Sequence, residues 1–188
     1  QPNVEAAKQS ARQAIKAYED THALPDLSVL VRQDNLAVSG PAGPLTSMAA
    51  YLHSVLAPVG QGRYVAVMAY IDRSPANEAA LGQIRDTLGA ALGVPVTLGF
   101  GPRFLHSTGQ FHKGGPNTGL FVQIVQREQH DLALPGRGYT FGILKAAQAL
   151  GDWRALEQNG RVAVRVDIGT DVLGGLERLN EVLHQALA

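Results

Sequence analysis

The chain has 188 residues, of which 45% are hydrophobic and 17% are charged. This length and composition are typical of one folded domain with a full hydrophobic core, and they exclude a disordered or fibrous protein. Lys plus Arg equals Asp plus Glu, so the formal net charge is zero, whereas a nucleic-acid binder usually carries a basic excess. The chain has no cysteine, which excludes disulfides and thiolate zinc sites and fits a reducing cytoplasm.

The first residues have neither the basic start nor the apolar centre of a signal peptide. No apolar run approaches the roughly 20 residues that cross a bilayer. We therefore expect a cytoplasmic protein with neither a membrane nor a nucleic-acid partner. Because the sequence opens directly on a helical pattern without an initiator Met, we also expect it to be the remainder of a longer protein.

Apolar residues recur first at helical and then at strand spacing along the chain. Ser74 and Pro75 are typical of a helix start, and Arg165 and Asp167 alternate with apolar neighbours, which predicts a strand with one wet face. In chain order we predict a helix at 3–20, strands at 28–31 and 35–38, a helix at 45–56, a strand at 65–71, a helix at 75–92, strands at 94–100 and 120–125, helices at 141–150 and 152–158, a strand at 162–168, and a helix from about 171 to 187.

This alternation predicts an α/β fold, with a layered mixed sheet and helices on both faces. The continuous apolar run at 65–71 is typical of a strand that is covered on both sides. Strand 65–71, the helix after it and strand 94–100 read as a right-handed crossover between parallel strands.

Residues 101–119 join two apolar strands and are rich in glycine and hydrogen-bonding side chains. No Asp or Glu occurs from Thr87 to Arg127. Glycines let backbone N–H groups approach a ligand closely, and basic side chains favour an anion. The segment therefore predicts a loop that binds a phosphate or a carboxylate. A surface loop in which the glycines merely turn the chain is the alternative that the composition leaves open.

Other chemistries fit this segment less well. His106 and His112 have no acidic neighbour in sequence to complete a metal site. Ser107 follows His106, but adjacent side chains rarely face each other and no carboxylate is close enough to orient the imidazole, so we do not predict a hydrolase. The roles of two lysines stay undecided. Lys8 borders the apolar stripe of the first helix, and Lys145 interrupts the apolar pattern of the helix predicted at 141–150. Either can be a surface residue or can point into a pocket.

The opening residues resemble the end of a glucose-6-phosphate isomerase signature, which continues Gln, any residue, Gly, Val, Glu, any two residues, Lys. Gln1, Val4, Glu5 and Lys8 match at the required spacing, and Asn3 replaces the signature Gly. A second resemblance, to the branch that includes bifunctional transaldolase/glucose-6-phosphate isomerases, is carried by His106-Ser-Thr-Gly-Gln110, by residues 112–119 and by residues 139–152.

The resemblance implies that residues 1–22 are an N-terminal helix carrying the end of the signature, and that residues 23–188 are a C-terminal α/β domain. Both would follow sugar-isomerase domains encoded ahead of this segment. It also implies a homodimer.

The implied activity is the interconversion of glucose 6-phosphate and fructose 6-phosphate through an enediol, a step of glycolysis and gluconeogenesis, without a metal or organic cofactor. By residue match, Lys8 takes the role of the lysine near the ring oxygen. The phosphate-holding loops and the base glutamate would belong to the preceding domains, and the signature match does not make Glu5 that base. We expect the segment alone to be inactive. The expected substrate-binding residues are Arg103, His106, Ser107, Thr108, Gln110, His112 and Lys113.

Two other functions remain as alternatives. The segment can be a non-catalytic accessory or dimerisation domain of the isomerase, or an independent anion-binding module. Turnover that survives the loss of Lys8 and His112 in the full enzyme would favour the first. A gene that starts at this segment, together with binding of another phosphorylated ligand, would favour the second.

Overall fold

The computed structural model describes residues 2–188 as six strands and six α-helices. Gln1, the first residue of the predicted signature match, lies outside the described residues. The strands are β1 Val31–Gln33, β2 Leu36–Ser39, β3 Tyr64–Tyr70, β4 Val96–Phe100, β5 Gly119–Val125 and β6 Val162–Asp167. The helices are α1 Pro2–Thr21, α2 Met48–Leu56, α3 Pro75–Leu92, α4 Ser107–Gly114, α5 Phe141–Gln158 and α6 Val172–Leu187.

All six strands form one mixed sheet in the order β1-β2-β6-β5-β3-β4. Strands β6, β5, β3 and β4 are parallel to one another, as the alternation of helices and strands predicts. The hairpin β1–β2 joins this parallel part in antiparallel pairing with β6. The chain runs from β3 to β4 on one side of the sheet and from β5 to β6 on the other side, so the topological switch point lies between β3 and β5.

Helices cover both faces of the sheet, so the predicted α/β class is confirmed. On one face, α2, α3 and α6 pack over alternate strand residues such as Val67, Val122 and Val164. On the other face, α5 lays Trp153 and Leu156 against the sheet. Helix α1 does not rest on the strands but packs along the outer side of α5, where Ala14 meets Ala147 and Leu150.

Local chemistry sets several helix starts. Ser74 accepts a hydrogen bond from Asn77 N at 3.2 Å, with Pro75 in the first turn, as predicted. Asp171 caps α6 in the same way, accepting from Gly174 N at 3.2 Å. Helix α2 begins three residues later than predicted, because Ser47 provides its cap and accepts from Ala50 N at 3.0 Å.

The prediction of two helices at 141–150 and 152–158 is wrong, because α5 runs without a break through Gly151. This glycine lies where the backbone of α1 approaches α5 closely. A side-chain carbon at position 151 would lie 2.5 Å from Ala7 O and 2.7 Å from Ala11 N. Glycine therefore permits helix contact here rather than ending a helix.

The predicted wet face of β6 is only partly exposed. Arg165 points to the face that α5 covers, and Arg165 and Asp167 are only partly exposed. The division into an N-terminal helix at 1–22 and a C-terminal α/β domain at 23–188 stays a prediction. No helix within residues 2–188 combines the length and the hydropathy that crossing a bilayer requires.

Candidate functional site

Residues 101–119, which we predicted as a loop, contain a short 3-10 helix at Arg103–Leu105 and the α-helix α4. Phe104 and Leu105 are buried and anchor the segment to the core. Gly109 lies against the backbone carbonyl of Phe104, where a side-chain carbon would collide with that oxygen. The glycine at this position therefore serves packing of α4 against the preceding turn, which composition alone does not distinguish from ligand contact.

Lys113, a predicted substrate-binding residue, has no exposed surface. Its ammonium forms an ion pair with the equally buried Asp152 and donates a hydrogen bond to Phe104 O at 2.6 Å. Burial raises the pKa of the Asp152 carboxyl, and the ammonium beside it opposes that shift. In this arrangement Lys113 joins α4 to α5 and the 3-10 helix, and it has no access to a ligand.

His112 is also enclosed, with 8% of its surface exposed. Its ring stacks on Phe104 with centroids 5.7 Å apart and lies 5.2 Å from the ring of Phe121. Burial, with a smaller contribution from the Lys113 charge, lowers the pKa of His112 to about 4. The imidazole is therefore neutral at physiological pH, and its environment is that of an aromatic core residue.

The other predicted binding residues differ in how far their side chains are exposed to solvent. Arg103, Ser107 and Thr108 are exposed on the surface, and Gln110 is half-buried. His106 is exposed as well, but it lines a cleft together with Lys8. The structure thus brings two of the predicted site residues together, one from the signature and one from the segment 101–119.

We call this cleft the Lys8 cleft. It has a volume of about 250 Å³ and lies between α1, the end of the 3-10 helix and α5. Its walls combine basic and apolar side chains, namely Lys8, Ala11, Arg12, Ile15, Leu105, His106, Leu144 and Gln148.

The charges around the Lys8 cleft are arranged on one side of α1. Glu5 lies 2.9 Å from the Arg12 guanidinium and 3.7 Å from the Lys8 ammonium. The hydrogen bond from Arg12 is the main cause of the lowered pKa of the Glu5 carboxyl. The side chain of Lys8 is 40% exposed, so its ammonium stays within reach of a ligand. With one carboxylate shared by two cations, the cleft keeps a positive excess that suits an anionic or polyhydroxylated ligand.

A second cleft, which the sequence analysis did not predict, adjoins the first and shares Leu144 and Gln148 with it. It has a volume of about 320 Å³ and lies by the switch point of the sheet. Lys145 faces it and lies 2.6 Å from Glu128 and 3.2 Å from Asp72. The sequence did contain an indication of this cleft. Asp72 and Glu128 follow β3 and β5 closely, and the carboxyl ends of adjacent parallel strands lie at the same edge of the sheet.

Residues 2–188 contain no group of three or more His, Cys, Asp or Glu side chains arranged to hold a metal ion. The polar groups that line the two clefts are hydrogen-bond donors and acceptors of the kind that contact an organic ligand.

No protein-family model matches the chain, and no curated protein matches it. Among solved structures, its fold is similar to the crystal structure of a hypothetical protein from Thermus thermophilus, with a TM-score of 0.64 and 16% sequence identity. The similarity covers 97% of this chain and 43% of that chain, so this chain spans less than half the length of that protein. At this identity the similarity shows the α/β fold alone.

Proposed function

We propose that this chain is the C-terminal part of a cytoplasmic glucose-6-phosphate isomerase, and that Lys8 is its contribution to the active site. The observation that carries the proposal is the shared cleft of Lys8 and His106. The signature resemblance selects Lys8 and the second resemblance includes His106, although 98 positions separate the two residues in the sequence. Their meeting in one cationic cleft supports a common ligand.

The chemistry of the cleft fits one step of the reaction. When a cyclic sugar opens, the bond between C1 and the ring oxygen breaks, the ring oxygen gains a proton, and the hydroxyl on C1 gives up its proton as it becomes the carbonyl. A half-exposed ammonium beside a cleft can donate that proton or a hydrogen bond to the same oxygen. Arg12 holds Glu5 by a hydrogen bond of 2.9 Å, which leaves the more distant Lys8 ammonium the freer of the two cations to turn toward a substrate.

The site is incomplete within residues 2–188 on this proposal, since the base glutamate and the phosphate-holding loops belong to preceding domains. We therefore expect the segment alone to bind glucose 6-phosphate weakly and to show no turnover above background. Isomerase activity of purified 1–188, prepared from a host lacking its own isomerase, would contradict this part of the proposal.

The decisive experiment uses the longer polypeptide encoded by the complete gene. Lys8→Ala is expected to lower kcat/KM by about 100- to 10,000-fold, the usual contribution of a general acid or base. Lys16→Ala is the matched control, because Lys16 is an exposed lysine two turns further along α1 and does not line the Lys8 cleft. Unchanged kcat/KM in Lys8→Ala would instead favour a non-catalytic accessory or dimerisation domain.

A further inference from the structure

A third cavity lies on the far side of α5 from the Lys8 cleft. It has a volume of about 250 Å³ and is enclosed by the connector between α1 and β1, by α5 and by the sheet. Helix α5 presents Ala146 and Leu150 to this cavity, and it presents Leu144 and Gln148 to the Lys8 cleft. Because residues two apart on a helix point about 200° apart, the two spaces are separate sites. We call this space the Arg165 cavity.

Arg165 forms part of the floor of this cavity. It lies on β6, with Ser39 of β2 as its partner on one side and Gln123 of β5 on the other. Its NH1 group donates to Gln123 Oε1 at 2.7 Å. Gln123 is fully buried and its Nε2 donates in turn to Ala149 O at 2.9 Å. A buried glutamine fastened to the α5 backbone therefore holds the guanidinium in one position.

The charge of Arg165 is only partly compensated, because Asp167 also lines the cavity and favours the guanidinium cation without forming an ion pair with it. Within residues 2–188 no carboxylate forms an ion pair with it, and the hydrogen-bond acceptor that it has is the neutral amide of Gln123. Asp167 is on the same strand, but its carboxylate accepts from Gly169 N at 2.8 Å and lies 3.4 Å from Arg127. Burial lowers the pKa of Arg165 to about 10, so the group is still a cation at neutral pH. A guanidinium has five N–H donors, and most of them remain free for a ligand.

The rest of the lining indicates what such a ligand would look like. Leu24, Leu27 and Leu150 supply apolar wall. Exposed Arg32 and Asp26 are at the rim with opposite charges, and the Asp167 carboxylate, held by Gly169 N, also lines the cavity. A water molecule takes about 30 Å³ in the liquid, so a space of about 250 Å³ accommodates a compact molecule of roughly ten non-hydrogen atoms. The ligand would have an apolar body and one anionic end.

We propose that the Arg165 cavity binds a small organic anion, a carboxylate or a phosphate monoester, whose anionic oxygens pair with the Arg165 guanidinium while its apolar body packs against Leu24, Leu27 and Leu150. A guanidinium suits this task because its fork of N–H groups matches two oxygens of a carboxylate or a phosphate. The site is separate from the Lys8 cleft and does not depend on the proposed isomerase function.

The test is a titration of the whole chain followed by two-dimensional NMR and calorimetry, with benzoate and phenyl phosphate as probes. Addition of a probe is expected to change the NMR chemical shifts of Arg165 Nε–H and of the backbone amides of Ala37, Ser39 and Leu150, which line the cavity. Benzyl alcohol, which keeps the ring but lacks the charge, should bind at least about ten times more weakly. Tighter binding of one probe than the other identifies carboxylate or phosphate as the preferred group.

Two variants change the Arg165 cavity in different ways. Arg165→Met removes the charge and should weaken binding of the preferred probe about 10- to 100-fold, while Ala146→Phe fills the cavity and leaves the guanidinium in place. Arg85→Met is the matched control, since Arg85 is exposed on α3 across the sheet. If Arg165→Met fails to fold, probe binding to the Ala146→Phe protein alone tests the proposal. Absence of binding by both probes at millimolar concentration, or binding that persists in a folded Ala146→Phe protein, would overturn the proposal.

Discussion

At the residue scale, His112 makes the stability of the protein depend on pH. Its pKa falls from the ordinary 6.5 to about 4 in the folded chain, so the unfolded chain binds a proton at a pH where the folded chain does not. The stability that neutral, buried His112 contributes is therefore complete above about pH 6.5 and is lost as the pH falls toward 4. At about 1.4 kcal/mol for each pKa unit, the loss approaches 3 kcal/mol.

Urea unfolding between pH 7.5 and 4.5 measures this dependence. We expect His112→Phe to flatten the fall in unfolding free energy over that range, because phenylalanine fills the same aromatic site without a titrating group. His130→Gln, at an exposed histidine, should retain the wild-type profile. Parallel profiles for the wild type and His112→Phe would contradict the assignment of the pH dependence to this ring.

The Lys113–Asp152 pair leads to a second residue-scale prediction. Lys113→Met leaves the Asp152 carboxyl buried without its counter-ion, which typically costs about 3–5 kcal/mol. The double variant Lys113→Met/Asp152→Leu removes both charges and should recover most of that loss. Arg178→Met breaks an exposed pair with Asp34 and should cost under about 1 kcal/mol. Equal instability of the single and double variants by urea denaturation would show that the charges are not the cause.

At the scale of elements, the crossing of α1 and α5 depends on Gly151. Gly151→Ala places a methyl group against the backbone of Ala7 and Ala11, and neither backbone can move aside without shifting the helix. We expect a loss of about 1–3 kcal/mol in unfolding free energy. Gly82→Ala is the control, because Gly82 is inside α3 with open space around it, and alanine there should stabilise the protein by about 0.5–1 kcal/mol. A neutral Gly151→Ala would mean that the helices do not cross this closely.

Elements whose signals are local were predictable from the sequence. The caps at Ser74 and Asp171 act within one helical turn, so the residues that define them are next to one another in the chain. Gly151 was misread because its role depends on α1, which is more than 120 positions away in the sequence. For the same reason Arg165 was assigned to a wet face, since alternation along β6 does not tell which helix covers it.

The candidate sites show the same contrast between local patterns, which are readable from the sequence, and contacts between distant residues, which are not. The signature spacing selected Lys8, and the absence of acidic residues drew attention to His106 and its neighbours. Neither pattern separates side chains that face a cleft from side chains that hold the backbone together, so Lys113 and His112 were grouped with the exposed residues. The Arg165 cavity needs residues from the connector, four strands and α5, and no single stretch of sequence carries that combination.

At the scale of the whole molecule, the packing of α1 bears on the predicted boundary at residue 22. It covers an alanine-rich side of α5, including Ala147 and Ala155, and also meets buried Leu105. A chain reduced to residues 23–188 would expose this surface, so we expect it to bind the dye ANS and to unfold with a lower midpoint and less cooperativity than residues 1–188. An unchanged, cooperative transition measured by circular dichroism would show that the C-terminal α/β domain at 23–188 folds without the N-terminal helix.

The position of the β1–β2 hairpin has a consequence for synthesis on the ribosome. This hairpin emerges before the other strands of the sheet, yet its neighbour is β6, with Ala37 opposite Asp167 and Asn35 donating to Ile168 O at 3.1 Å. Partners so far apart in sequence make a slow closing contact, because the long intervening loop must first be ordered. A nascent chain halted before residue 162 would hold the edge of β2 open, and such an edge invites pairing with other chains. Chaperones that shield unpaired strands would thus matter most for this protein in the interval before its last two elements appear.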